Sequence, residues 1–431
     1  MPKFLTSSKT LQSLVLTNDN KGDMTQQKTA YTVSDKFPRL ERRLRLGIVG
    51  GGGGGFIGPV HALSARMDNR YELVAGALSS NPDKAKTAGA DWMLPPDRTY
   101  SDYIEMARTE STRGDKIDVV AITTPNHTHF DIAKTFLEAG IHVICDKPLT
   151  TRIEDAIDLL RLVDETGLCF FVTHGFAAYP MIRQARAMVG SNVLGEVRLV
   201  HVEFVMDWLT DPIDLAGDRH ASWRTDPSRS GPGGAVSDIG THAYHLARFV
   251  SCQEVTSLLA SLRTFVPGRR LDDNGHLLLK FANGAEGTMI FTQVAPGNEC
   301  GIRIRVYGEK AGLEWRQEDA DHLRYAVFGQ PVQILARGDA NLLPEAQRMT
   351  RIPKGHPEGY LEAFANIYSE ASLALEAKIL GKRCEVSVEC ATIEDGAIGI
   401  AFVDAAVKSS RDGGVWIDPR LTIDGRVLTT T

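Results

Sequence analysis

A chain of 431 residues, 43% hydrophobic and 24% charged, has ordinary globular composition and enough apolar mass for two or three domains. Its 48 basic and 54 acidic residues give a formal charge of −6, which argues against nucleic acid as a partner. No apolar run is long enough to cross a membrane, and the six scattered cysteines form no CxxC pair; neither a zinc site nor a disulfide framework is expected, and a cytoplasmic setting is the default.

Residues 1–43 are polar, lack the apolar core of a secretory signal, and are read as a flexible extension in which Met24 offers an alternative start. From Leu44 the pattern turns regular. "LRLGIVG" is a short apolar run ending in glycine, which suits a buried parallel strand, and "FIGPVHALSARM" follows with helical spacing. Between them run six glycines, Gly50 to Gly55. A strand ending on glycine, a turn without side chains, and a helix whose free N–H groups point back at that turn together cradle the diphosphate of a dinucleotide. Gly50, Gly52 and Gly55 match G-x-G-x-x-G, with Phe56 and Ile57 opening the helix. Other registers of the run fit as well, and Gly58 is an alternative for the close helix–strand contact.

"YELVAGALSS" is the next strand and "NPDKAKTAG" opens the next helix. An acidic residue at this strand end would bond the ribose hydroxyls and repel a 2′-phosphate. Ser79 and Ser80 stand there instead, with Lys84 and Lys86 beyond, which tilts the choice between NAD and NADP slightly towards NADP; the two serines could also simply cap the helix. "DVVAITTP", "IHVICDKP" and "CFFVTHG" are further strands, alternating with the helical stretches "HFDIAKTFLEAG" and "IEDAIDLLRLVDETG". Residues 44–175 therefore predict a doubly wound parallel sheet. "TTPNHTH" and "CDKP" leave the carboxyl ends of two of these strands, where open α/β sheets bind ligands. Thr124, Pro125, Asn126 and His129 are candidates for the cofactor side, His127 and His129 either line the nicotinamide side or cap the helix that follows, and Asp146 and Lys147 are candidates for the rim of the crevice.

Residues 176–420 follow another pattern. "EVRLVHVEFVMDW", "TSLLASLRTFV", "GHLLLKFANGAEGTMIFTQV" and "GIRIRVYGEKAGLEW" read as strands, and "FANGAEG" holds the Asn-Gly of a tight hairpin. They predict an α/β domain with an open, mostly antiparallel sheet and helices on one face. Helices are expected at "GGAVSDIGTHAYHLARFV", "PEGYLEAFANIYSEASLALEAKIL" and "TIEDGAIGIAFVDAAVKSS", the last packing back on the body of the protein. Tyr179 is placed facing a substrate, and Trp208 is either core or a sugar platform. Arg224, after Trp223, is either a bidentate ligand for a polar substrate group or an anchor for the glycine loop. Asp238 and His242 stand at i, i+4 on one helix face, so the carboxylate would fix the imidazole's tautomer and raise its basicity for taking an alcohol proton. Asp238, His242 and His245 could also hold a metal, but no second cluster has ligand spacing and none is expected.

In the order "GIVGGGGGGFIG", "TTPNHTH", "CDKP", "GGAVSDIGTHAYH", the chain resembles the Gfo/Idh/MocA oxidoreductases, the glucose–fructose oxidoreductase and inositol dehydrogenase family, over about residues 44–420. The resemblance implies a Rossmann domain followed by an α/β domain with an open antiparallel sheet. It also implies hydride transfer between NAD(P) and a hydroxyl-bearing carbon of a sugar, sugar derivative or inositol. It makes Lys147 the residue that holds the substrate hydroxyl and the nicotinamide, His242 the catalytic base and Asp238 its acidic partner. Asp146 stands where the family usually has glutamate, which changes the reach of the carboxylate, and a cis peptide bond at Pro148 is expected. Two other readings are an NAD-dependent glycosidase that oxidises transiently and a non-catalytic NAD(P)-sensing regulator. An uncovered apolar sheet face is a liability, so a homodimer or homotetramer through that face is expected.

Overall fold

A computed structural model describes residues 39–384 and 387–429, so most of the predicted N-terminal extension, including Met24, lies outside the described residues. The first half folds as expected. Strands β1 (Leu44–Val49), β2 (Tyr71–Ala77), β3 (Val119–Ile122), β4 (His142–Cys145) and β5 (Phe170–Val172) pair in parallel in the order β2-β1-β3-β4-β5. Every residue of β3, β4 and β5 is buried, because helices cover both faces and leave no solvent side that would call for polar alternation. Strand order reverses between β1 and β3, which opens a crevice beyond their carboxyl ends.

The loop from β1 to helix Ile57–Met67 forms one wall of that crevice. The N–H groups of Gly50 and Gly52 donate to the carbonyls of Ala77 and Leu78, at 3.0 Å each, and tie the loop to the end of β2. A Cβ on Gly52 would meet the Leu78 carbonyl at 2.5 Å, and one on Gly58 would meet the Gly51 Cα at 2.3 Å. Gly58, rather than Gly55, thus makes the close approach of helix to loop; a Cβ on Gly55 would find only ordinary contacts from 3.5 Å. Gly53 and Gly54 stand at the tip with φ of 71° and 90° and open space around them. The loop is therefore longer than a six-residue motif requires.

The second half forms an eight-stranded sheet from β6 (Val197–Val205), β7 (Val255–Arg263), β8 (Asn274–Phe281), β9 (Glu286–Thr292), β10 (Gly301–Gly308), β11 (Ala311–Arg316), β12 (His322–Val327) and β13 (Gln333–Ala336). Its order is β13-β12-β11-β10-β6-β9-β8-β7, antiparallel throughout except where β6 meets β9. The Asn283-Gly284 hairpin joins β8 to β9, with Gly284 at φ 88°. Strands β12 and β13 went unread in the sequence because their half-exposed residues do not alternate cleanly. Helix Thr241–Ser251, buried along its whole length, packs on the inner face against β6. The outer face lies opposite that helix. It is a lattice of cross-strand polar pairs, Arg305 with Glu203, Arg303 with Glu314 at 2.8 Å, and His201 with Thr288 at 2.7 Å, interrupted by exposed Leu199 and Leu278.

The chain crosses between the sheets more than once. The final helix, Ile393–Arg411, packs on helix Ile153–Thr166, β5 and β7, and so contacts both halves. Helix Tyr360–Ile379 lies against helix Ile57–Met67, with the Tyr368 hydroxyl 2.8 Å from His61 Nδ1 and the Tyr71 hydroxyl donating to the Tyr368 carbonyl at 2.9 Å. Arg351 pairs with Asp68 and Arg70 with Glu376 across the same seam. No helix among the described residues is long and apolar enough to cross a membrane.

Overpacking two backbones is costlier than holding an alanine in the left-handed region. We expect Gly58→Ala to lose about 3 kcal/mol in chemical denaturation and Gly54→Ala about 1. Equal losses would contradict the assignment of the close contact to Gly58.

Candidate active site

Three turns at the carboxyl ends of the parallel strands meet a turn from the second half. A Cβ on Gly50 would lie 2.8 Å from Thr124 Cγ2, so the glycine loop and the Thr124–Asn126 turn are in direct contact. The Thr124 hydroxyl accepts from Thr128 at 2.7 Å, and Asn126 is buried. His129, expected on the cofactor side, is instead fully buried, with Nδ1 2.9 Å from the Pro148 carbonyl and Nε2 2.8 Å from that of Thr124. Burial lowers its pKa, so the neutral ring donates one N–H to one of these carbonyls and ties this turn to the next.

The Lys147–Pro148 peptide is cis, as expected. Lys147 Nζ donates to both the carbonyl and the Oδ1 of Asp238, at 2.8 and 2.9 Å. The other carboxylate oxygen, Oδ2, accepts from Gln293 Nε2 at 2.8 Å and lies 3.9 Å from Arg224 Nε. Burial alone would raise the Asp238 carboxyl, but Lys147 and Arg224 outweigh it and hold it below the usual carboxylate value. Asp146 behaves likewise. Burial opposes its charge, yet His61, Lys147 and the Thr173 hydroxyl, 2.6 Å away, bring it down to about 2.

Asp238 makes no hydrogen bond to His242, which corrects the expected carboxylate–imidazole pair. It sits in a π turn, Val236–Gly240, ahead of helix Thr241–Ser251. Its carboxylate is engaged instead by Lys147 and Gln293, which come from other segments of the chain. His242 packs edge-on against Phe176 and His174, at ring distances of 4.9 and 5.6 Å, and its Nδ1 has no partner among the described residues. Burial, then the charge of Lys147 and the neighbouring His174 and His245, push its pKa well below 6.5, so the ring is neutral. His245 stacks on His174 at 4.2 Å, so Asp238, His242 and His245 do not converge on a metal.

Other candidates divide. Arg224 is brought to the site, its guanidinium stacked over Trp223 at 4.3 Å and near Trp208 at 5.8 Å. Tyr179 is not exposed to a substrate; at 2% exposure it packs on Trp315 and Phe176 in the core. Ser79 and Ser80 end β2 without capping the next helix, a task taken by Asn81, whose side chain accepts from the Lys84 N–H at 3.0 Å. Phe56 is 67% exposed and stacks on Tyr360 at 6.1 Å. Sequence reasoning missed Gln293, Tyr360, His61 and Thr173. Of these, only His61 had a signal, as a polar residue on the apolar face of the helix after the glycine loop.

The glycine loop fits a dinucleotide. Helix Ile57–Met67 has neither a side-chain cap nor an acidic residue in its first turn, so its leading N–H groups are left for an anion. The comparisons agree with this geometry. Residues 44–174 match the oxidoreductase family with an NAD-binding Rossmann fold, and residues 182–314 match the GFO/IDH/MocA C-terminal domain. An uncharacterized oxidoreductase of Bacillus subtilis (strain 168) is 33% identical over 88% of this chain and 98% of its own. The crystal structure of an oxidoreductase from Sinorhizobium meliloti is 49% identical, covers 88% of this chain and 100% of its own, and superposes with a TM-score of 0.79. An inositol dehydrogenase homolog from Azotobacter vinelandii, complexed with NAD+, is 36% identical over 89% of this chain and 99% of its own, with a TM-score of 0.86. An inositol dehydrogenase homolog from Azotobacter vinelandii, complexed with NADH and myo-inositol, is 35% identical over 88% of this chain and 98% of its own, with a TM-score of 0.81. The chain therefore belongs to the Gfo/Idh/MocA family of oxidoreductases, with an NAD-binding Rossmann domain at its first sheet.

Proposed function

We propose that the protein is a dehydrogenase that moves a hydride between a nicotinamide cofactor, NAD or NADP, and a hydroxyl-bearing carbon of a cyclitol or sugar. The observation that carries this reading is the Lys147–Asp238 pair at the crevice mouth, beside a neutral His242. The cofactor, when bound, supplies the hydride acceptor or donor. The chain's own residues handle the oxygen and its proton. Lys147, held by Asp238, donates a hydrogen bond to the substrate oxygen and stabilises negative charge developing on it. His242 takes the hydroxyl proton as the carbon–hydrogen bond breaks. Asp238 acts on Lys147 rather than on His242, so the base remains an imidazole of low basicity that is unprotonated at neutral pH. Phe176 and Phe204, packed around the ring, keep water from it. Arg224 and Trp208 are placed to meet the rest of a polyhydroxylated substrate. The homolog complexed with NADH and myo-inositol supports the substrate class, and Lys147 with His242 supports an enzyme over a sensor.

Spectrophotometry with NAD+ or NADP+ and a panel of cyclitols, sugars and glycosides tests the reading; growth of the reduced-nicotinamide band is expected, and free sugar without that growth would instead indicate a glycosidase. Lys147→Met and His242→Gln should each lower kcat/KM by about 100-fold or more, while NADH titration shows cofactor binding retained. Near-normal turnover in both would sink the mechanism. Because the His242 pKa is depressed, its basic form persists as pH falls through 6.5, and the acid limb of kcat/KM for oxidation should lie below that value. A limb centred at 6.5 or above would contradict His242 as the base. No carboxylate ends β2, so Ser79→Asp should cut the NADP+/NAD+ ratio of kcat/KM by about tenfold or more, by like-charge repulsion of a 2′-phosphate. An unchanged ratio would place the ribose elsewhere.

A further inference from the structure

The short helix Arg219–Arg224 of the second domain carries one arginine at each end. Arg224 reaches the carboxylate that holds Lys147, 3.9 Å from Asp238 Oδ2. Arg219, at the other end, reaches the glycine loop, its Nη1 3.4 Å from the Gly53 carbonyl. Asp218 fixes this start of the helix by accepting from the N–H groups of His220 and Ala221, at 2.8 and 2.9 Å. Among the described residues, no carboxylate lies within ion-pair distance of the Arg219 guanidinium, and its one hydrogen bond is long.

A loop suited to an anion thus has a poorly satisfied cation poised over it from the opposite domain. The extra length of the loop is what brings them together. Gly50, Gly52 and Gly58 make its tight contacts, whereas Gly53 stands free at the tip beneath Arg219. The uncapped start of helix Ile57–Met67 offers N–H donors from the other side. A guanidinium binds two phosphate oxygens side by side, which an ammonium cannot do.

We propose that Arg219 is a ligand of the cofactor's diphosphate, exchanging its Gly53 contact for phosphate oxygens and clamping the second domain over the glycine loop. This rests on the reading that the Gly50–Gly58 loop holds the diphosphate. The test is isothermal titration of the full chain with ADP-ribose, with adenosine, which lacks phosphate, followed by competition. Arg219→Ala should weaken ADP-ribose about tenfold, leave adenosine within twofold, and flatten the dependence of affinity on salt. Arg219→Lys should recover part of the loss. Unchanged ADP-ribose affinity in Arg219→Ala, or an equal loss for adenosine, would overturn the proposal while leaving the cofactor site standing. Failure of the unaltered protein to bind ADP-ribose would overturn the cofactor site itself.

Discussion

The ion pair between Lys147 and Asp238 is the constraint on which the site depends. Its members lie 91 residues apart, one on the turn after β4 and the other on the helix entry of the second domain. Taking both charges out of water is expensive, and attraction alone does not repay the cost unless the remaining valences are met. Here they are met: Lys147 donates twice to Asp238, and Gln293 and Arg224 serve the other carboxylate oxygen. The pair cannot form unless the two domains dock in one orientation. The geometry of the candidate site and the docking of the two halves are thus aspects of the same contact.

A second set of contacts holds the turn beneath that pair. Asp146 is gripped by Thr173 from the neighbouring strand end and faced by His61 at 3.8 Å, while His61 is tied to Tyr368 on the returning helix. His129 joins the two cofactor-side turns through their carbonyls. These buried polar groups are costly singly, but as a chain they fix the height and angle of the Asp146–Pro148 turn. The shorter Asp146 carboxylate is used inside this chain, and its charge is held on by His61 and Lys147.

Much of this could be read from local pattern. The parallel strands, the glycine loop, the lysine turn and the Asn-Gly hairpin all follow from periodicity and from residues whose backbone preferences act over a few positions. The errors share a cause. Tyr179 follows a strand end, where ligands gather, but its fate was set by Trp315, far along the chain. Asp238 and His242 have ideal helical spacing, but Lys147 and Gln293, from distant segments, engage the carboxylate.

Sequence alone determined the order and type of most elements, β12 and β13 excepted, and the residue types that bring chemistry, because hydrophobic period, glycine freedom and turn preference are local properties. Tertiary structure decided which residues those types meet. It gave the close approach to Gly58 rather than Gly55, turned Asp238 from His242 to Lys147, and recruited Gln293. It also set Arg219 over the glycine loop. Each of these depends on the packing of segments far apart in the chain, which no local preference encodes.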